Sequence, residues 1–158
     1  MPIRRIVPST RAGHLRVGIV LARFNPAIGD ALLAGAARAL SEAGVADSAV
    51  TIATVPGALE APLALQRMAQ TGDYDALIAL GAVIRGDTYH FEIVANESAR
   101  ALMELTIRDR LCIGNGILTV EDEEQAFVRA RTEEGGKGAD AVRACLALMA
   151  LKARFASL

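Results

Sequence analysis

The feature that most limits how this chain can fold is the run Ala76-Leu77-Ile78-Ala79-Leu80-Gly81-Ala82-Val83-Ile84. It is apolar or glycine throughout and is closed by the polar group Arg85-Gly86-Asp87-Thr88-Tyr89. A strand with one wet face alternates polar and apolar residues. An unbroken apolar run bounded by turn residues suits a parallel strand covered on both faces. Parallel strands need long crossover connections, so helices are expected on either side of this one.

The flanking segments supply them. Leu15 to Leu21 reads as a first strand, stopped at Arg23-Phe24-Asn25-Pro26 because Pro26 has no N–H for a ladder. Ile28 to Ala43 repeats apolar residues at Ile28, Leu32, Ala36 and Leu40, a helical period ended by Gly44. Ala49 to Val55 forms a second strand broken by Pro56-Gly57, and Ala58 to Thr71 a helix closed by Gly72. After the central run come a helix from His90 to Arg110 and a strand from Cys112 to Leu118 interrupted by Gly114 and Gly116. Thr119 then caps a helix from Val120 to Arg131, and a last helix runs from Lys137 to Phe155. The order βαβαβαβαα predicts right-handed crossovers and a three-layer α/β/α sandwich on a four-stranded parallel sheet. No repeat or linker interrupts the chain, so residues 1–158 read as one domain.

Composition removes several classes of function. Lys plus Arg number 17 against 18 for Asp plus Glu, with no basic stripe, so neither nucleic acid nor a membrane surface is an expected partner. The longest apolar stretch of the last helix, Ala144 to Leu151, is too short to span a bilayer. The N-terminus lacks the apolar core of a secretory signal, which makes the cytoplasm the expected location. Cys112 and Cys145 stand apart within apolar elements and read as buried thiols. The last helix is apolar or small nearly all round from Ala144 to Leu151, which asks for cover on several sides and hence for an oligomer.

In open parallel sheets, ligands bind outside the carboxyl ends of the strands. No G-x-G-x-x-G or Walker loop stands at those ends, and the first strand ends without the acidic residues of a phospho-receiver. The remaining candidate is Ile84 to His90. Gly86 permits close backbone approach, and Thr88 sets a hydroxyl beside the N–H groups of a helix start, which suits a phosphate. His90 opens the helix, where the dipole opposes the imidazolium and leaves the ring a candidate for proton exchange near neutral pH. The alternative is that His90 and Thr88 merely cap. Phe24 is placed to stack on a flat ring or to act as a hydrophobic staple. Glu60 is either a carboxylate for ligand hydroxyls or a first-turn acid favoured by the dipole. Arg129 and Lys137 flank the last break and either hold an anion or are simply solvated. His14 reads as a bystander.

Taken in order, Arg23-Phe24-Asn25, Val55 to Glu60, Gly81 to Phe91, Asn96-Glu97, Asn115 to Val120 and Lys137-Gly138 closely resemble the lumazine synthases, from about Leu15 to Phe155. The resemblance implies a flavodoxin-like fold and the penultimate step of riboflavin biosynthesis. There a ribitylaminouracil condenses with 3,4-dihydroxy-2-butanone 4-phosphate to give 6,7-dimethyl-8-ribityllumazine, phosphate and water. By position it implies that Phe24 stacks on the pyrimidine and that Ala58, Leu59 and Glu60 meet the ribityl chain. Ala82, Val83 and Ile84 would hold the uracil edge through their backbone. Asp87, Thr88 and Arg129, with Lys137 nearby, would receive the phosphate, and His90 would move the protons. Imine formation, phosphate loss and ring closure involve no redox change, so the resemblance implies no cofactor and no metal.

It also implies a homo-oligomer, a pentamer with the sixty-subunit shell as the larger alternative, whose sites are shared between neighbours. Asn115 would reach the pyrimidine from an adjacent subunit, as a polar contact rather than a second stacking ring. Arg131 to Gly136 carries no insertion that would block a shell. Ile3 to Val7 would add a strand to the neighbouring sheet. A non-catalytic lumazine- or flavin-binding protein, or one whose value is its shell, is the competing reading. The presence of His90, Thr88 and Arg129 together favours the enzyme.

Overall fold

The computed structural model describes residues 2–7, 9, 11–131 and 133–156; Thr132, inside the Arg131 to Gly136 stretch singled out above, lies outside them. Four strands, β1 (Val17–Ala22), β2 (Val50–Val55), β3 (Ala76–Ile84) and β4 (Ile113–Val120), form one sheet in the order β2-β1-β3-β4. Every pairing is parallel. The connections are helices α1 (Pro26–Glu42), α2 (Ala61–Thr71) and α3 (His90–Arg108), and two further helices, α4 (Glu123–Ala130) and α5 (Gly136–Ala156), follow the last strand. This is the expected α/β sandwich with a four-stranded parallel sheet. The chain winds outward from β1 to β2 and then returns to add β3 on β1's other side, so the strand order reverses between β1 and β3.

The alternation of side chains sorts the sheet into two faces. Val17, Ile19 and Leu21 of β1, Ile78 and Leu80 of β3 and Leu118 and Val120 of β4 pack against α1, α4 and α5 in the larger core. Val20, Leu77, Ala79 and Ile113 point the other way, onto Ala61 and Leu65 of α2 and Leu102 and Leu105 of α3. β3 is buried along its length except at Ile84, the situation its unbroken apolar run predicts.

Two local expectations are corrected. β4 is continuous through Gly114 and Gly116, because Gly114 admits the backbone of α5 and Gly116 makes room for the Leu80 side chain rather than breaking the strand. A Cβ on Gly114 would lie 2.1 Å from the Ala141 carbonyl oxygen of α5. The strand also runs two residues further than expected. Thr119 pairs with Val83 in the ladder, and Asp122 caps the next helix instead, accepting from the Gln125 N–H at 2.8 Å. Ladder pairing on a buried strand outweighs the local preference of a threonine for a cap. As the apolar sequence of the last helix implies, the single chain covers α5 on one side only. Val142, Cys145 and Leu146 are buried while Ala144 and Leu148 are exposed.

Both cysteines are buried and free. Burial pushes the Cys145 thiol up to about 12. β2 is an edge strand with Thr51, Ile52 and Thr54 exposed, and residues 2–7 carry no regular structure, with Ile3 and Val7 in the open. No described helix is long and apolar enough to cross a membrane.

Candidate active site

α3 has nineteen residues, yet its buried ones are only Ser98, Leu102 and Leu105, none of them in its first two turns. The first two turns therefore overhang the sheet, and His90 stands at their free end. Beneath lies a cavity of about 500 Å³ at the carboxyl ends of β1, β2 and β3, next to the strand-order reversal. Its lining joins Phe24 from the first turn, Pro56 to Glu60 from the second, and Ala82 to Ile84, Gly86, Thr88, His90, Phe91 and Val94 from the third.

Each contributor is held by its own local chemistry. Phe24 follows β1 directly; its N–H donates to the Pro56 carbonyl at 3.1 Å, tying the first two turns together. The next residue, Asn25, sits in the left-handed region (φ 66°) that asparagine tolerates, and its Nδ2 donates to Glu123 Oε1 at 3.3 Å. This sharp reversal leaves Phe24 67% exposed at the cavity. Ala58–Glu60 forms a 3-10 turn ahead of α2 rather than the helix's own first turn. Glu60 Oε2 accepts from the Gly57 N–H at 3.0 Å, which fixes the carboxylate at the cavity wall. At the other wall, Thr88 Oγ1 accepts from the His90 N–H across a long 3.4 Å. Among the described residues the His90 imidazole has no hydrogen-bond partner, so its ring is free to meet a ligand.

Of the residues singled out from sequence, Phe24, Ala58, Leu59, Glu60, Ala82, Val83, Ile84, Thr88 and His90 come together around this cavity. Asp87 lies exposed on the same turn but outside the lining. Asn115 lies opposite Ala79, deeper along the sheet, with its Oδ1 accepting from the Ile117 N–H at 3.0 Å. Arg129 and Lys137 line a separate groove of about 510 Å³ with Glu133, Glu134 and Asp140. Arg129 donates to the Gln125 carbonyl at 3.0 Å, and Lys137 Nζ stands 3.7 Å from Asp140. The single chain thus gathers an apolar, ring-sized pocket with one proton carrier, and it keeps two cations elsewhere. Among the described residues, no three His, Cys, Asp or Glu cluster so as to hold a metal.

Two parts of the site escaped sequence reasoning. Val94 shares His90's helix face at i+4, so helical spacing alone would have found it. The Arg85 side chain is the second. Its Nε donates to Glu121 at 2.7 Å, its terminal nitrogen to Glu92, and its guanidinium carbon stands 4.3 Å from the centre of the Phe91 ring. No local spacing signals a pairing across 36 residues.

Comparison with known proteins adds to this geometry. The family model for 6,7-dimethyl-8-ribityllumazine synthase matches residues 14–153. A relative described as 6,7-dimethyl-8-ribityllumazine synthase 1 in Mesorhizobium japonicum is 54% identical over 139 residues, covering 85% of this chain and 83% of its own. Relatives described as 6,7-dimethyl-8-ribityllumazine synthase are each 56% identical in Bartonella tribocorum (87% of this chain, 89% of its own) and Novosphingobium aromaticivorans (87% and 96%). The extent of the match places this chain in the 6,7-dimethyl-8-ribityllumazine synthase family.

Proposed function

We propose that this chain is a transferase that condenses 5-amino-6-(D-ribitylamino)uracil with 3,4-dihydroxy-2-butanone 4-phosphate. The products are 6,7-dimethyl-8-ribityllumazine, phosphate and water, in the penultimate step of riboflavin biosynthesis. One observation carries the reading: a single cavity collects an exposed aromatic ring, a carboxylate, the backbone of a strand end and an unpartnered imidazole. In this reading Phe24 stacks on the pyrimidine, and the backbone of Ala82, Val83 and Ile84 matches its polar edge. Ala58, Leu59 and Glu60 follow the ribityl hydroxyls. His90 gives and takes protons as the imine forms, phosphate leaves and the ring closes. Holding two reactants side by side supplies much of the remaining acceleration.

A phosphate substrate wants cationic partners, and the pocket lining has none. Thr88 and the backbone at Asp87 would start the anion site, and Arg129 and Lys137 of a neighbouring copy would complete it. Asn115 of that copy would meet the pyrimidine. The reading therefore carries a homo-oligomer, a pentamer with a larger shell left open to it, built from a single domain and working in the cytoplasm. The exposed flank of α5, the bare edge of β2 and the uncovered Ile3 to Val7 segment support it, each being a surface that a second copy would cover.

The test is direct. Purified protein mixed with both substrates should raise lumazine absorbance and release phosphate in equal amounts. A rate no greater than the uncatalysed condensation removes the activity. The competing non-catalytic reading expects tight lumazine binding with no such acceleration.

A further inference from the structure

Arg85 is the nearest cation in sequence to the turn proposed to take the phosphate, and it is already occupied. Its guanidinium bridges two carboxylates from different elements: Glu121, in the turn after β4, and Glu92, in the first turn of α3. The face of the same group covers Phe91. A planar fork engaged on two edges and one face has little left for an anion.

The two anchors differ in firmness. The Glu121 end is fixed to the sheet and to α4: the Arg85 N–H donates to the Val120 carbonyl at 2.9 Å, and the Glu121 N–H donates to Gln125 Oε1 of α4 at 2.8 Å. The Glu92 end belongs to the overhanging turns of α3, which bury no residue before Ser98. Among the described residues, His90 gets no hydrogen bond to its ring. Its position follows from the helical turn that carries it, and Phe91 and Glu92 are the next two residues of that turn.

We infer that Arg85 is a positioning residue: it ties the first turn of α3 to the capped end of β4 and so sets where the His90 imidazole stands in the pocket. The inference rests on the activity proposed above for its kinetic consequence, but not for its structural one. An exposed pair of this kind adds little to global stability, so removing it should disturb placement rather than folding.

Arg85→Gln and Arg85→Lys separate this role from phosphate binding. As a positioning residue, Arg85→Gln lowers kcat by about 10-fold while KM for each substrate stays within about 2-fold. Arg85→Lys recovers part of the loss, since one ammonium meets one carboxylate but not both. Amide exchange at Ile93 and Val94 quickens while Leu102 and Leu105 keep their protection. A selective rise in KM for the phosphate substrate would make Arg85 a ligand and overturn the inference. So would unchanged kcat, or exchange that quickens equally along α3. If Arg85→Gln does not fold, Glu92→Gln and Glu121→Gln cut the two ties singly and must each show the same pattern in weaker form. Exchange needs no turnover. Absence of turnover in the unaltered protein sinks the reaction, whereas unchanged exchange at Ile93 and Val94 sinks the positioning role.

Discussion

The seam where α5 meets α1 and β4 and the rim that carries the pocket are built from similar residues to opposite ends. At the seam, small residues bring backbones together: a Cβ on Gly138 would stand 2.0 Å from the Leu32 carbonyl oxygen. At the rim, Gly86 has no atom within 4 Å of the place its Cβ would take. The same residue type closes space in one region and leaves it open in the other. Packing makes the seam rigid, while the rim keeps polar side chains short of partners. The pocket opens where the core ends, on turns that the core aims but does not fill.

The largest expected effect is at the rim. His90→Ala should lower turnover by about 10–10⁴-fold, toward the low end if holding the reactants dominates, with the unfolding midpoint unmoved. If the site is shared between copies, refolding His90→Ala together with Arg129→Ala should restore part of the rate, because some sites then receive both native residues. An undiminished rate in His90→Ala removes His90 from the mechanism, and failure to complement argues that Arg129 does not act across copies.

Next comes a matched pair of glycine substitutions. Gly138→Ala forces two helix backbones apart and should cost about 3 kcal/mol or more in denaturant unfolding. Gly86→Ala should fall within about 0.5 kcal/mol, as exposed sites generally do. Equal costs at the two positions would erase the distinction between seam and rim.

The smallest effect lies at the amino ends of the strands, away from the pocket. The Asp75 carboxylate accepts from the Arg16 backbone N–H at 2.9 Å and from its guanidinium at 3.3 Å, clasping β1 to β3. Hydrogen bonds from the Arg16 side chain and backbone hold the Asp75 carboxyl below the usual carboxylate range. A depressed folded-state value stabilises above the unfolded value and loses that contribution as pH falls through the folded one. Asp75→Asn should therefore cost about 1 kcal/mol at neutral pH, and the two proteins should converge in stability as acid protonates Asp75. Turnover at pH 7 should not change. A gap that persists into strong acid would trace the clasp to packing instead of charge.

Most of the architecture could be read from the chain because the apolar periods were unambiguous. Ala76 to Ile84 allowed little but a buried parallel strand, and proline and glycine breaks marked where β1 and β2 stopped. The misreadings were those where a distant partner decides a local question. Gly114 looks like a strand breaker until α5 is laid against it, and Thr119 looks like a cap until Val83 pairs with it. The site divides in the same way. Ile84 to His90 declared itself through its own turn, and Phe24 and Glu60 through their place at strand ends. Arg85's role depends on Glu121 and on a ring beside it, neither of which spacing reveals. Arg129 and Lys137 carry their expected roles only if another copy supplies them, and no single-chain pattern encodes that.

The half-packed α3 has one more consequence. Leu102 and Leu105 clamp the helix at its far end, while its first turns reach over the pocket held by little more than the exposed Arg85 tie. Substitutions at the clamp are paid in folding, whereas substitutions at the free end alter only what the pocket presents. Such a layout separates inheritance of the fold from variation of the chemistry. A library confined to Ile93, Val94 and their neighbours should yield many folded proteins with altered ligand preference, and one centred on Leu102 and Leu105 should yield few folded proteins at all.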